Sequence, residues 1–340
     1  MSAAGAGDGS PAPRPTFGDR LAGAVAARES QIVLGIDPDP ARLWPGALDH
    51  ASRARADLAE GFAAAHEIAR DVTGSSAPEP QPPALEAAAA VLAHSLALID
   101  AAGPACVAAK PQLACFERLG FAGALALEAV CAHARAAGLL VLADGKRGDV
   151  PVTAAVYAQA LTGSTPSPFG PVPGLGVDAL TANPLTGRDA LAPLVDGARR
   201  AAAGVFVLVR TSNPGAADLM DLELASGEPL WERLAAIVAE LGQAGSAGLN
   251  DVGAVTGATA PQHLARMREL MPRTPFLLPG VGAQGGDVSA LAPAFAPGRA
   301  AGLVTASRSI AHAHEQTSGE PAAAAHAEAE RLRELAWALA

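Results

Sequence analysis

Lysine is almost missing from this chain. Of its 24 Lys and Arg residues only Lys110 and Lys146 are lysine, and the other 22 are arginine. Aromatics are equally sparse at 4%, so any large core must be built from Ala, Leu and Val. Cysteine is limited to Cys106, Cys115 and Cys131, an odd number set in apolar surroundings with no C-x-x-C spacing. That argues against a disulfide scaffold and a structural zinc site, and for a reducing compartment. Net charge is −10, which excludes a broad basic surface for nucleic acid. An anionic ligand would need a local positive pocket instead. Uninterrupted apolar stretches of membrane length are lacking too. The longest, 84–103, carries Glu86, His94 and Asp100 and reads as a packed amphipathic helix. The apolar run 21–27 is too short for a signal peptide and meets Arg28-Glu29 at once. A soluble cytoplasmic protein is the expectation. Metal spacing is also wanting: His312 and His314 lie two apart on a helical pattern and so face different ways.

What the chain does have is apolar mass, 50% over 340 residues, enough for one large α/β domain. Eight short apolar runs recur, at 31–37, 106–110, 139–144, 177–182, 204–209, 251–256, 276–279 and 303–306. They are continuous rather than alternating, as parallel strands buried on both faces should be. Helix-length segments separate most of them. The pattern predicts a single-domain (β/α)8 TIM barrel over 16–312, with a doubly wound open sheet as the competing architecture. Residues 1–15, rich in Gly, Ala, Ser and Pro, read as a disordered tail. Segments 73–83 and 162–176 read as inserted loops, and 313–340 as a C-terminal helical extension.

Chemistry in a barrel gathers at the carboxyl ends of its strands. Both lysines fall there. In a chain that uses Arg nearly everywhere else, they mark positions where a compact ammonium able to give up a proton is wanted. Asp144 and Lys146 lie two apart on an extended segment and should point the same way. With Lys110 on the neighbouring strand and Asp149 in the following loop, the pattern predicts an alternating Lys-Asp-Lys-Asp field. A charge cluster that merely braces the barrel is the alternative. The Gly-rich loop 280–286 after the seventh run, and Arg308 after the eighth at the start of a helix near Ser309, predict a phosphate site.

Asp144-Gly-Lys146-Arg-Gly-Asp149 resembles the D-x-K-x-x-D signature of the orotidine 5'-phosphate decarboxylase family. Gly35-Ile-Asp37-Pro, Ala109-Lys110-Pro-Gln-Leu-Ala-Cys-Phe-Glu, Thr211-Ser212-Asn-Pro-Gly, Pro279-Gly-Val-Gly-Ala-Gln284-Gly-Gly and Ser307-Arg308-Ser-Ile resemble the bacterial type 2 branch, in order, from about residue 17 to about residue 310. The resemblance implies conversion of orotidine 5'-phosphate to UMP and CO2 without metal or organic cofactor. It implies Lys146 as proton donor to C6, Asp144 beside the scissile carboxylate, and Lys110 and Asp149 completing the charge network. Asp37 and Thr153 would contact the ribose, Ser212 the pyrimidine, and Gln284 and Arg308 the phosphate. It further implies a homodimer with shared active sites, Asp149 and Thr153 reaching the partner's site.

Three features depart from the family pattern. Gly145 stands where Ala is more usual, which predicts a looser strand end. Ser307 replaces a common Gly before the phosphate Arg, and the two inserts are long. Two rival functions follow from the same residues. One is a Mg2+-assisted sugar-phosphate decarboxylase or hexulose-phosphate synthase, which shares D-x-K-x-x-D. The other is a catalytically idle UMP-binding regulator.

Overall fold

The computed structural model describes residues 15–49, 67, 70–72, 74, 82–281, 285–317 and 319–340. Eight strands close into a parallel barrel, each beside its successor, with the last paired to the first. They are β1 (Ile32–Ile36), β2 (Ala108–Pro111), β3 (Leu140–Arg147), β4 (Ala179–Ala182), β5 (Gly204–Arg210), β6 (Val252–Thr256), β7 (Phe276–Leu278) and β8 (Gly302–Ala306). Closure runs through Val33 opposite Thr305 and Leu34 opposite Ala306. All eight expected runs are therefore strands, and the open-sheet alternative is excluded by the β1–β8 pairing.

Strand alternation sorts the side chains into two cores. Ile32, Leu34 and Ile36 of β1, like Val205, Val207 and Val209 of β5, face the surrounding helices. Val33, Ala108, Leu142, Ala179, Phe206, Val255, Leu277 and Leu303 point into the barrel. Continuing that parity by two residues brings Lys110, Asp144, Thr181 and Thr305 into the interior at the carboxyl end. The same alternation that fills the barrel floor with Ala, Val and Leu thus aims the polar residues at its mouth.

The opposite mouth is plugged. Helix α1 (Phe17–Arg28) starts at a capping box in which Thr16 and Asp19 satisfy each other's backbone N–H groups. It inserts Phe17, Leu21 and Val25 beneath the strands. Phe17 meets Phe206 edge-on, ring centroids 5.8 Å apart. Gly204 is required there, since a Cβ would lie 2.3 Å from the Phe17 ring. Burying each such aromatic is worth roughly 1.5–3 kcal/mol.

Outside the barrel lie α2 (Pro82–Ala102), α3 (Leu113–Glu117), α4 (Gly120–Ala136), α5 (Pro151–Leu161), α6 (Arg188–Arg200), α7 (Leu230–Leu241), α8 (Leu264–Leu270), the single turn α9 (Arg308–Ala311) and α10 (Pro321–Leu339). The apolar α2 is long enough to cross a membrane, yet Ala88, Ala89, Val91, Leu98 and Ile99 are buried in the helical layer. Helix α10 joins that layer through Ala325, Ala329, Leu332 and Ala336, and His326 Nδ1 lies 3.1 Å from the Ala101 carbonyl. Segment 162–176 holds a short hairpin, Ser164–Thr165 against Val172–Pro173, with Phe169 fully exposed at its tip. The expected tail at 1–15, apart from residue 15, and most of the 73–83 insert lie outside the described residues.

Candidate active site

The carboxyl end of the barrel opens into a cavity of about 360 Å3, a volume suited to a small polar ligand. At its floor Asp144 receives both lysines. Lys110 Nζ lies 2.5 Å from Oδ2, and Lys146 Nζ lies 2.6 Å from Oδ1. Thr181 Oγ1 donates to the same Oδ1 at 2.9 Å while accepting the Lys146 backbone N–H at 2.9 Å. Lys110 and Asp144 are buried, whereas the Lys146 side chain remains 43% exposed.

The electrostatics follow from this packing. Burial alone would push the Asp144 carboxyl up, but the charges of Lys110 and Lys146 and their hydrogen bonds hold it well below the usual carboxylate range. Burial opposes the Lys110 ammonium as well, yet the charges of Asp144 and Asp37 overcome it and raise its pKa. Both members of the pair are therefore ionised together. A buried cluster of this kind is tolerable only when each charge is matched.

Lys146 reaches Asp144 by a different route from plain alternation. The β3–β4 register shifts between Ala143 and Arg147, and Lys146 adopts a left-handed backbone with φ +46°. Non-glycine residues rarely hold that conformation, and it costs on the order of 1 kcal/mol or more. The bulge turns Lys146 back over the cavity. Gly145 belongs to the same device: a Cβ there would sit 2.6 Å from Leu113 Cδ1. The space an Ala side chain would take at position 145 is thus held by the tip of Leu113.

Around this floor the cavity wall brings in Asp37, Ser212 and Arg308, all expected, together with Thr211, Asn213, Thr305 and Ser307. Pro279, Gly280 and Val281 supply the wall after β7. Gly280 has φ +102°, and Gly286 N–H donates to the Gly280 carbonyl at 3.0 Å. Arg308 opens α9 itself, so the helix expected near Ser309 begins one residue earlier and is a single turn. Gln284 lies outside the described residues.

Two expected residues are elsewhere. Asp149 and Thr153 are half-buried, away from the cavity lining, and Asp149 Oδ1 accepts its neighbour's N–H from Val150 at 2.7 Å. Within one chain the four-charge alternation is therefore three charges, Lys110, Asp144 and Lys146. Thr181 was not singled out from sequence. Its signal was available in the parity of β4, two residues beyond the interior Ala179. Asn183, just past β4, is half-buried, and its Oδ1 accepts the Leu185 N–H at 3.0 Å.

Comparison with known proteins agrees with this geometry. Residues 47–326 match the model of the orotidine 5'-phosphate decarboxylase / HUMPS family. An orotidine 5'-phosphate decarboxylase of Rhodopirellula baltica is 37% identical over 303 residues, covering 88% of this chain and 90% of the relative. One from Haloarcula marismortui is 41% identical over 303 residues, covering 89% of each. A Streptomyces avermitilis structure, solved as a candidate orotidine 5'-phosphate decarboxylase, superposes with a TM-score of 0.70 at 30% identity over 96% of each chain. With a family match over most of its length and relatives this similar from end to end, the chain belongs to the orotidine 5'-phosphate decarboxylase family.

Proposed function

We propose that the chain converts orotidine 5'-phosphate to UMP and CO2, the closing step of pyrimidine nucleotide synthesis, as a type 2 member of its family. One observation carries this reading: two ammonium groups clasp one carboxylate at the cavity floor, while Arg308 stands in the wall with no ion pair among the described residues. The first group suits a reaction that develops negative charge on carbon, and the second suits a phosphate. In this mechanism the bond from C6 to the carboxylate breaks and its electron pair stays at C6 in an in-plane orbital. CO2 departs, and the Lys146 ammonium delivers a proton to C6. The carbanion is stabilised by a charge already in place. Asp144 positions Lys146 and faces the leaving carboxylate. Asp37 takes a ribose hydroxyl, Ser212 the pyrimidine, and Arg308 with Gln284 the phosphate.

The reaction needs neither metal nor organic cofactor, and its test is turnover in EDTA followed by ultraviolet absorbance. Rapid conversion to UMP supports the reading. Turnover only with Mg2+ and a sugar phosphate would move the chain to the other branch of its family. Tight UMP binding without turnover would make it a regulator.

Arg308→Ala is expected to raise KM by about 10- to 100-fold, the value of a charge-assisted phosphate contact. An unchanged KM removes Arg308 from the phosphate site.

A homodimer with shared sites accounts for the position of Asp149 and Thr153. They bracket Val150 and Val152, and Val156 lies one turn further along α5; all three valines are exposed, Val152 at 80%. That apolar strip on α5 is the surface we assign to the second subunit. Mixing Asp149→Ala with Lys146→Ala subunits should restore activity, because random pairing leaves about a quarter of sites intact. No recovery in demonstrably mixed dimers would rule out sharing. A cytoplasmic setting fits the three cysteines, which are free thiols.

A further inference from the structure

Two opposite charges line the same cavity without meeting. Asp37 directly follows β1, and Arg308 lies just past the adjacent strand β8. Among the described residues neither belongs to an ion pair. Between them in the wall stands Ser307, whose Oγ donates to Asp37 Oδ2 at 2.6 Å. That contact is Asp37's only side-chain hydrogen bond among the described residues.

The Ser307 side chain has a place made for it. Gly35 faces it across the β1–β8 seam, and a Cβ on Gly35 would lie 2.6 Å from Ser307 Cβ and 3.0 Å from its Oγ. Any larger residue at 35 would drive the hydroxyl off Asp37. Gly35 is also paired with Lys110 across the β1–β2 seam, so the strand end has charge on one side and the hydroxyl on the other. Asp37 thus has three neighbouring cations or donors to choose from. Lys110 is committed to Asp144, Ser307 donates to one oxygen, and Arg308 is next along the chain from Ser307.

From this geometry we propose that Ser307 is a positioning residue: its hydroxyl fixes the Asp37 carboxylate and so keeps Asp37 and Arg308 from pairing with each other in the empty site. One carboxylate oxygen remains for a sugar hydroxyl, and the guanidinium remains for the phosphate. Without the hydroxyl, Asp37 is free to turn onto Arg308, and substrate must break that ion pair before either group can serve it. The cost falls on binding and not on the chemistry at C6, because Lys146 and Asp144 are held by Thr181 and Lys110. This rests on the roles given above to Asp37 and Arg308.

The test is Ser307→Ala in two backgrounds, read by KM for orotidine 5'-phosphate, by kcat and by the Kd of UMP. In the parent, Ser307→Ala should raise KM and the UMP Kd about tenfold, the worth of a hydrogen bond to a charged group, with kcat nearly unchanged. In an Asp37→Ala background the same substitution should change neither, since no carboxylate is left to restrain. A merely structural hydroxyl would cost the same in both backgrounds. A parent-background change under twofold, or an undiminished penalty without Asp37, overturns the assignment. The reading of the reaction itself is judged separately: a parent that turns over orotidine 5'-phosphate sustains it whatever Ser307→Ala does, whereas an Arg308→Ala variant with unchanged KM faults the phosphate role and, with it, the claim that the hydroxyl keeps the guanidinium free for substrate.

Discussion

Lys146→Ala should lower kcat by about 10^4-fold or more, because it removes both the general acid and the charge that stabilises the developing carbanion. UMP affinity should change by less than about tenfold, the scale of one lost hydrogen bond to a charged group. Stability should stay close to the parent. The side chain is 43% exposed, and Ala at φ +46° carries the same backbone strain as Lys. Asp144 keeps its bond to Lys110. Lys146→Arg separates the two contributions of the ammonium. Guanidinium preserves the charge but does not release its proton near neutral pH. If proton delivery matters as much as charge, Arg restores little activity. Single-turnover measurement of CO2 release and UMP formation resolves the two. A Lys146→Ala enzyme with more than about a tenth of parent kcat removes Lys146 from the chemical step, since that loss is below what general acid catalysis supplies.

Much of this site is legible in the sequence, for a physical reason. Parallel strands buried on both faces must be continuously apolar, so eight runs give eight strands and their ends mark the cavity. A composition that avoids lysine makes Lys110 and Lys146 stand out. The two-residue spacing of Asp144 and Lys146 predicts that their side chains point the same way; the two do meet, but through a bulge and not through plain alternation. What stays hidden depends on contacts across strands. Nothing local to residues 144–147 announces the register shift that swings Lys146 over Asp144. Thr181 looks like any β-branched strand residue, yet it joins Asp144 to the Lys146 backbone. Ser307 reads as a departure from a family pattern until Asp37 is seen 2.6 Å away. Asp149 and Thr153 are a different case. Their side chains lie beside an exposed valine strip, and a single chain does not bring them to its own cavity.

Removing the central carboxylate should cost more in stability than any other change at the site. Asp144→Ala leaves Lys110 buried, 5% exposed, facing no counter-charge but the more distant Asp37. Breaking a buried pair in this way costs roughly 3–5 kcal/mol. The pH dependence follows from the directions of the two shifts. Asp144 is held below its ordinary pKa of 3.8, so its contribution is present above that value and is lost as pH falls through the lower folded one. Lys110 is raised above 10.5, so its contribution is present below that value and is lost as pH rises through the higher folded one. The penalty of Asp144→Ala should therefore be largest between these limits and shrink on both sides: in acid, where the parent's own carboxylate takes a proton, and in alkali, where the unpaired buried Lys110 sheds one. Replacing both partners, as Lys110→Met with Asp144→Leu, should recover much of the loss while leaving the enzyme inactive, because an apolar pair needs no matched charges. Urea unfolding of the parent and the two variants from acid to alkaline pH checks the argument. A penalty below about 1 kcal/mol, the worth of an exposed pair, would show that Lys110 and Asp144 are not coupled in a dry barrel mouth.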